Sequence, residues 1–170
     1  MVDISLLQSL SYVAAAIGVC IAAFYYVLTL RVQQTNMKHT LETRQAQIVM
    51  SISDRFTGGI FDNYIQLNNW KIDSIDEFME MFSEKDWTKG RTFNSMYWIY
   101  EELGTLVHEG LIDIRLVARM IGYFKRDWEK WGPLIKQYRV IRNDPRWWVE
   151  AEYLYNRLAE FGRQNPEYNI

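Results

Sequence analysis

The side chains best placed for chemistry in this 170-residue chain are two histidines and a few carboxylates and arginines set among aromatics. His39 and His108 are the only histidines, and neither lies in a Glu-x-x-His or His-Glu-x-x-His pattern, the spacings that set ligands on one helical face. Glu109 follows His108 directly and so points elsewhere around a helix. No metal site is expected. Glu101 and Glu102 are adjacent in an otherwise apolar stretch. Neighbouring helical positions diverge by about 100°, so the two do not make a paired-carboxylate acid–base site by themselves. Glu101 shares its face with Tyr97, Gly104 and His108, whereas Glu102 borders the apolar face. Glu150 and Glu152 lie similarly among aromatics, near Arg139, Arg142 and Arg146. Carboxylates in such surroundings need arginine or tyrosine partners. Glu101, Glu102, Arg139, Arg142 and Glu152 are therefore expected to form a structural polar network that fixes helix register. The alternative use of the same residues is a polar pocket near Glu101 and Glu152.

Other chemistries lack their residues. There is no Gly-x-Ser-x-Gly nucleophile elbow. Cys20, the single cysteine, allows no disulfide within the chain and no cysteine-based zinc site. Gly58-Gly59 lacks the lysine and hydroxyl of a phosphate loop. No catalytic residue and no cofactor are expected. Lys136, Tyr138, Arg139, Arg142, Arg146, Trp147 and Trp148 mix bases with aromatics, but Asp144, Glu150 and Glu152 dilute them. With a net charge of −2, nucleic-acid binding is not expected.

The elements that must carry these residues begin with an uncharged run, Tyr12 to Leu30. Nineteen helical residues span about 28 Å, close to a hydrocarbon core of about 30 Å. The apolar character extends upstream through Leu6, Leu7 and Leu10, and Arg31 ends it. Tyr12, Tyr25 and Tyr26 suit the aromatic belts at a membrane interface. Asp3 precedes the run, while Arg31, Lys38, Arg44 and His39 follow it. Positive residues stay cytoplasmic, so the N-terminus is expected outside the cell membrane and the rest inside. A cleaved secretory signal would need a basic start, where this chain has Asp3. Ala14, Gly18 and Ala22 recur every four residues, a smooth face for close helix approach.

Beyond the run, Met37, Leu41, Ile48 and Ile52 recur at helical spacing in a polar stretch free of glycine and proline. This predicts a helical stalk up to Gly58-Gly59. A short helix follows from Ile60 to about Trp70. Ser74-Ile-Asp-Glu77 is a capping box opening the next. Lys89-Gly90 reads as a break, and Thr92 to His108 as a helix with Met96, Ile99, Leu103 and Leu106 on one face. Gly110 ends it and Asp113 caps the next. There Ile114, Val117, Ile121, Phe124, Trp128 and Trp131 form the cleanest amphipathic stripe, with a kink allowed at Gly122 and an end or bend at Gly132-Pro133. Asp144 and Pro145 are the expected N-cap and first turn of the last helix. Its stripe is Trp147, Ala151, Leu154, Leu158 and Phe161, and Gly162 closes it. The fold class is all-α, with one N-terminal transmembrane helix, a polar stalk and a compact domain of five to six helices. The expected divisions are an anchor over 1–30, a stalk over 31–57, a helical domain over 58–162 and a loose tail over 163–170.

The run Tyr100-Glu-Glu-Leu-Gly-Thr-Leu-Val-His-Glu-Gly-Leu-Ile-Asp113, followed by Trp128, Trp131-Gly-Pro-Leu-Ile135, Arg139, Arg142, Pro145 and Glu152-Tyr-Leu154, resembles a family of small prokaryotic membrane proteins catalogued as a domain of unknown function. The resemblance is strongest from about Met96 to Phe161. It implies one N-terminal membrane helix, a polar helical stalk and a helical cytoplasmic domain, and it lends no activity. Where family members carry an aromatic before the Glu-Tyr-Leu triplet, this chain has Ala151. The reading that follows is a non-catalytic, membrane-anchored interaction or scaffold protein, touching lipid and associating with other membrane subunits or with itself. The alternatives are an accessory subunit of a membrane enzyme complex, or an enzyme or sensor built on the Glu101–Glu152 pocket.

Overall fold

An uncharged apolar run that opens a chain with no early glycine–proline break has one way to satisfy its backbone, a continuous helix. In the computed structural model, which describes residues 4–83 and 87–168, helix α1 runs Ile4–Arg55. Of Ser5, Leu6 and Ser9 only the backbone is described, so the upstream apolar edge at Leu6, together with Asp3 and the last residues of the expected tail, lies outside the described side chains. The chain forms two units, Met1–Arg44 and Gln45–Ile170. In the first, every side chain from 10 to 28 is exposed. Its 18-residue apolar stretch has a mean hydropathy of 2.2, so α1 is long and apolar enough to cross a membrane.

The second unit begins with the end of α1, where Ile52 is buried and Ile48 and Val49 pack against the core. A kinked segment, Phe56–Ile60, follows, and its helical geometry is broken at Gly58 and Gly59. Gly59 has φ 130°, a backbone setting open mainly to glycine. Then come α2 (Phe61–Asn69), α3 (Ile75–Glu80), α4 (Trp87–His108), α5 (Ile114–Ile121), α6 (Phe124–Arg142) and α7 (Val149–Gln164). A 3-10 turn, Pro166–Tyr168, ends the described chain. Among the described residues there are helices and no strands, so the protein is all-α with six helices after the long one. Ser74 Oγ accepts from the Glu77 N–H at 3.2 Å, while the Glu77 carboxylate accepts from Asp73 rather than from Ser74 itself.

Four expected helix ends move, two of them where a glycine makes a close packing contact. Lys89-Gly90 is no break: α4 starts at Trp87 and runs through both. Gly90 is a contact residue, because a Cβ there would come 2.5 Å from the Met81 carbonyl oxygen. The chain divides at Gly122-Tyr123, not at Pro133, which sits inside α6. Gly132 permits the Trp128 ring to fold against the backbone, since a Cβ would lie 2.7 Å from its indole nitrogen. The last helix starts at Val149 rather than at Pro145, and residues 145–148 form a turn. It also runs past Gly162 to Gln164.

The apolar faces match their spacing. Met96, Ile99 and Leu103 on α4, Val117 and Ile121 on α5, Phe124, Trp128 and Trp131 on α6, and Ala151, Leu154 and Leu158 on α7 are all buried. Leu106, Ile114, Trp147 and Phe161 are half-buried around them. Aromatic rings carry much of the contact. Phe93 stacks on Tyr97 with centroids 4.3 Å apart, and Phe78 meets Phe93 edge-on at 5.2 Å.

Candidate functional site

Helix α7 begins without a side-chain cap of its own, because its N-cap residue is Trp148. The free N–H groups of its first turn need acceptors, and α4 supplies one. The Glu101 carboxylate accepts from the Ala151 N–H at 2.8 Å and is also bonded to the Glu150 N–H. One turn further along α4, a Cβ on Gly104 would collide with the Glu150 carbonyl oxygen. One turn further again, His108 Nδ1 lies 2.9 Å from the Glu150 carboxylate, and its ring stacks on Tyr153 at 4.4 Å. Glu101, Gly104 and His108 thus form one polar seam along the start of α7. Burial raises the Glu101 pKa above its ordinary value, and the N–H bonds oppose that rise only in part.

The turn before α7 is held from the other side by Arg139 on α6. Its guanidinium donates to the carbonyl oxygens of Trp147 at 2.6 Å and Trp148 at 2.8 Å, and pairs with Glu152 at 2.5 Å. Lys136 takes the second Glu152 oxygen at 2.7 Å. Burial alone would push the Glu152 pKa up, but the bonds from Lys136 and Arg139 outweigh it and bring it below its usual value. The clamp fixes a strained backbone, since Trp148 has φ 57°, a left-handed conformation that costs a non-glycine residue on the order of 1–3 kcal/mol. Asn143, at the end of α6, is the other left-handed residue that is not glycine among the described residues.

Of the polar residues expected to cooperate, Arg139 and Glu152 pair directly, and Glu101 caps the helix that carries Glu152. Glu102 lies apart, 2.5 Å from Arg55 at the end of α1. Arg142 joins no ion pair among the described residues, and its guanidinium sits 5.8 Å from the centre of the Tyr138 ring. A groove of about 430 Å³ opens beside Glu101. Asn94, Trp98 and Glu101 line it from α4, with Asp144, Arg146 and the two tryptophans from the turn. Glu152 is not among its walls, so the two carboxylates do not face one cavity.

One functional group escaped the sequence reading. Asp127 on α6 is only 2% exposed. Its carboxylate accepts from the Tyr100 hydroxyl at 2.9 Å. Burial pushes its pKa up to about 6, although the Tyr100 bond and the charges of Arg126 and Lys130 pull the other way. Tyr97 and Tyr100 are raised well above the usual phenol range, first by burial and then by the Asp127 charge. The signal was present in the sequence: Asp127 falls three residues after Phe124 and four before Trp131, on the buried stripe itself.

No three His, Cys, Asp or Glu side chains converge on a metal position among the described residues. In the seam and at the buried aspartate a carboxylate accepts where helices meet, whereas in the clamp the Arg139 guanidinium donates. The sequence matches the family described as domain of unknown function DUF4760 over residues 12–158. The chain belongs to this family. The match takes in most of α1 and everything to the middle of α7, so the DUF4760 unit includes the apolar helix as well as the helical domain. No curated protein and no solved structure matches this DUF4760 chain.

Proposed function

We propose that this DUF4760 protein is a non-catalytic interaction protein, anchored in the cell membrane by α1, that binds a partner or itself at the cytoplasmic surface. The observation that supports this most is the bare helix. Every side chain from 10 to 28 is exposed, and such a stretch needs lipid or another helix around it. Ala14, Gly18 and Ala22 leave one side of it smooth, and a Cβ on Gly18 would meet nothing within 4 Å. Arg31, Lys38 and Arg44 after the span favour an outside N-terminus. The spending of Glu101, Glu102 and Glu152 on N–H groups and basic partners favours a structural over a catalytic role for them.

A second reading, an accessory subunit of a larger membrane enzyme, draws on the same smooth face. One experiment addresses both. A photo-crosslinking residue placed at Gly18 in native membranes should give a discrete adduct. Purification in mild detergent then separates a homo-oligomer from co-elution with a defined complex. A chain that stays monomeric and captures no neighbour would refute both readings.

A further inference from the structure

We propose that α1 pairs in parallel with α1 of a second copy of this chain, along one heptad stripe that runs from the apolar span into the stalk; this rests on the interaction reading above and names the partner. Every side chain from 31 to 44 is exposed, so that stretch of helix stands without tertiary support. It is poorly suited to stand alone. The hydroxyls of Thr35, Thr40 and Thr43 donate back to the carbonyls of Arg31, Asn36 and His39 at 3.0, 2.8 and 2.8 Å, a habit that slightly weakens helices. A bare helix of this length is marginal in water, yet this one also exposes Met37 (62%) and Leu41 (60%). Leu30, Gln34, Met37 and Leu41 follow one another in steps of four, three and four, the a and d spacing of a coiled coil. Counted back into the span, the same stripe passes Val27, Ala23, Cys20, Ala16 and Val13, all exposed. Membrane helices mostly cross at the angle of soluble coiled coils, so one stripe serves both segments. Cys20 lies about 200° around the helix from Gly18, which puts the stripe opposite the small residues Ala14, Gly18 and Ala22.

Self-complementarity selects a second copy. Two chains inserted alike in one bilayer set each layer of the stripe against its own counterpart, at the same depth. Like suits like at each layer down to Leu41. The apolar and small residues of the span meet their equals. The Gln34 amide both donates and accepts, so it complements itself, and a single polar residue at such a position fixes register and strand number. The flanking cations do not oppose one another. In parallel pairing Arg31 and Lys38, at e positions, face Tyr26 and Gln33, at g positions of the other copy. Lys38 already has Glu42 of its own helix at 4.0 Å. The next layer is Arg44, where like would meet like as two guanidiniums. The bare unit ends at that residue, and beyond it Ile48 packs against the domain core.

The test uses the full chain with Cys20→Ser, carrying one new cysteine at a time, in native membranes oxidised with copper phenanthroline. Met37→Cys and Leu41→Cys, on the stripe, should give a disulfide-linked dimer of the chain. Val32→Cys and His39→Cys, at the outward f positions, should give none. Gln34→Glu brings two carboxylates together, so at neutral pH it should weaken the dimer at least about tenfold by sedimentation in detergent micelles. Its helical domain should keep the wild-type melting midpoint, because residue 34 is exposed. No dimer at any position, equal dimer at stripe and outward positions, or wild-type association of Gln34→Glu would overturn the proposal. If a crosslinker at Gly18 captures a different protein while no stripe cysteine gives a dimer, self-pairing fails alone. If neither product forms, the interaction reading fails with it.

Discussion

Gly104 on α4 lies against the carbonyl of Glu150 on α7 so closely that there is no room for a methyl group between them. The contact is backbone to backbone, and neither helix can yield without pulling the Glu101 cap off the Ala151 N–H. Gly104→Ala should therefore destabilise the domain by about 1–3 kcal/mol through overpacking, even though alanine gains up to about 1 kcal/mol of helix propensity. Urea unfolding followed by tryptophan fluorescence measures this, and a raised midpoint would show that the helices separate freely.

Asp127 makes stability depend on pH. Its folded pKa of about 6 lies above the ordinary 3.8, so the folded state holds the proton more tightly than the unfolded chain. The stabilising contribution is complete below about pH 4 and is lost as pH rises through about 6. The full difference corresponds to about 3 kcal/mol. Asp127→Asn keeps a neutral acceptor for Tyr100 and removes the titration. It should be more stable than wild type at pH 7.5, by up to that amount, and lose the advantage by pH 4. An offset between variant and wild type that stays constant across this range would contradict the assignment.

Arg139 joins four partners in one corner: two carbonyls of the strained turn, Glu152, and through Glu152 the Lys136 ammonium. Its side chain is 12% exposed. Arg139→Ala should cost roughly 1.5–3 kcal/mol, the usual loss of hydrogen bonds to a charged group, because Glu152 keeps the Lys136 ammonium as a partner. Arg139→Lys keeps the charge but not the fork, so it should still lose at least about 1 kcal/mol. Chemical denaturation of both variants is the measurement, and a lysine variant as stable as wild type would mean that charge alone holds the turn.

Trp131 is 1% exposed and touches Phe78 and Phe93. Trp131→Ala should lose about 3–5 kcal/mol, and Trp128, 3% exposed, should behave alike. A loss below about 1 kcal/mol would require the core to collapse into the space left behind.

The helical faces were readable from spacing because periodicity records burial directly: Val117, Ile121, Phe124, Trp128 and Trp131 are buried although a break separates the first two from the rest. The break falls at Gly122, where a kink is allowed, and not at Gly132-Pro133. Glycine and proline signal a helix end only when nothing else claims them, and here Gly90 and Gly132 are claimed by the Met81 carbonyl and the Trp128 ring. Those contacts join segments whose pairing the sequence does not state. The start of α7 departs from its local signals for a related reason. Asp144 and Pro145 form a good local cap, but Glu101, some fifty positions upstream, supplies the acceptor that is used. Asp127 is hard to read from spacing because one carboxylate among Phe124, Trp128 and Trp131 leaves the apolar period intact.

The Arg139 clamp also bears on the order in which the fold assembles. Its partners at Trp147, Trp148 and Glu152 lie 8, 9 and 13 residues away, whereas Glu101 and Ala151 are 50 apart. Closing the longer loop costs roughly 1.5 kcal/mol more in chain entropy. The corner between α6 and α7 can close from neighbouring sequence alone, and α4 then docks onto a turn already shaped to receive it. Substitutions at Arg139 should slow folding, while those at Gly104 should chiefly quicken unfolding.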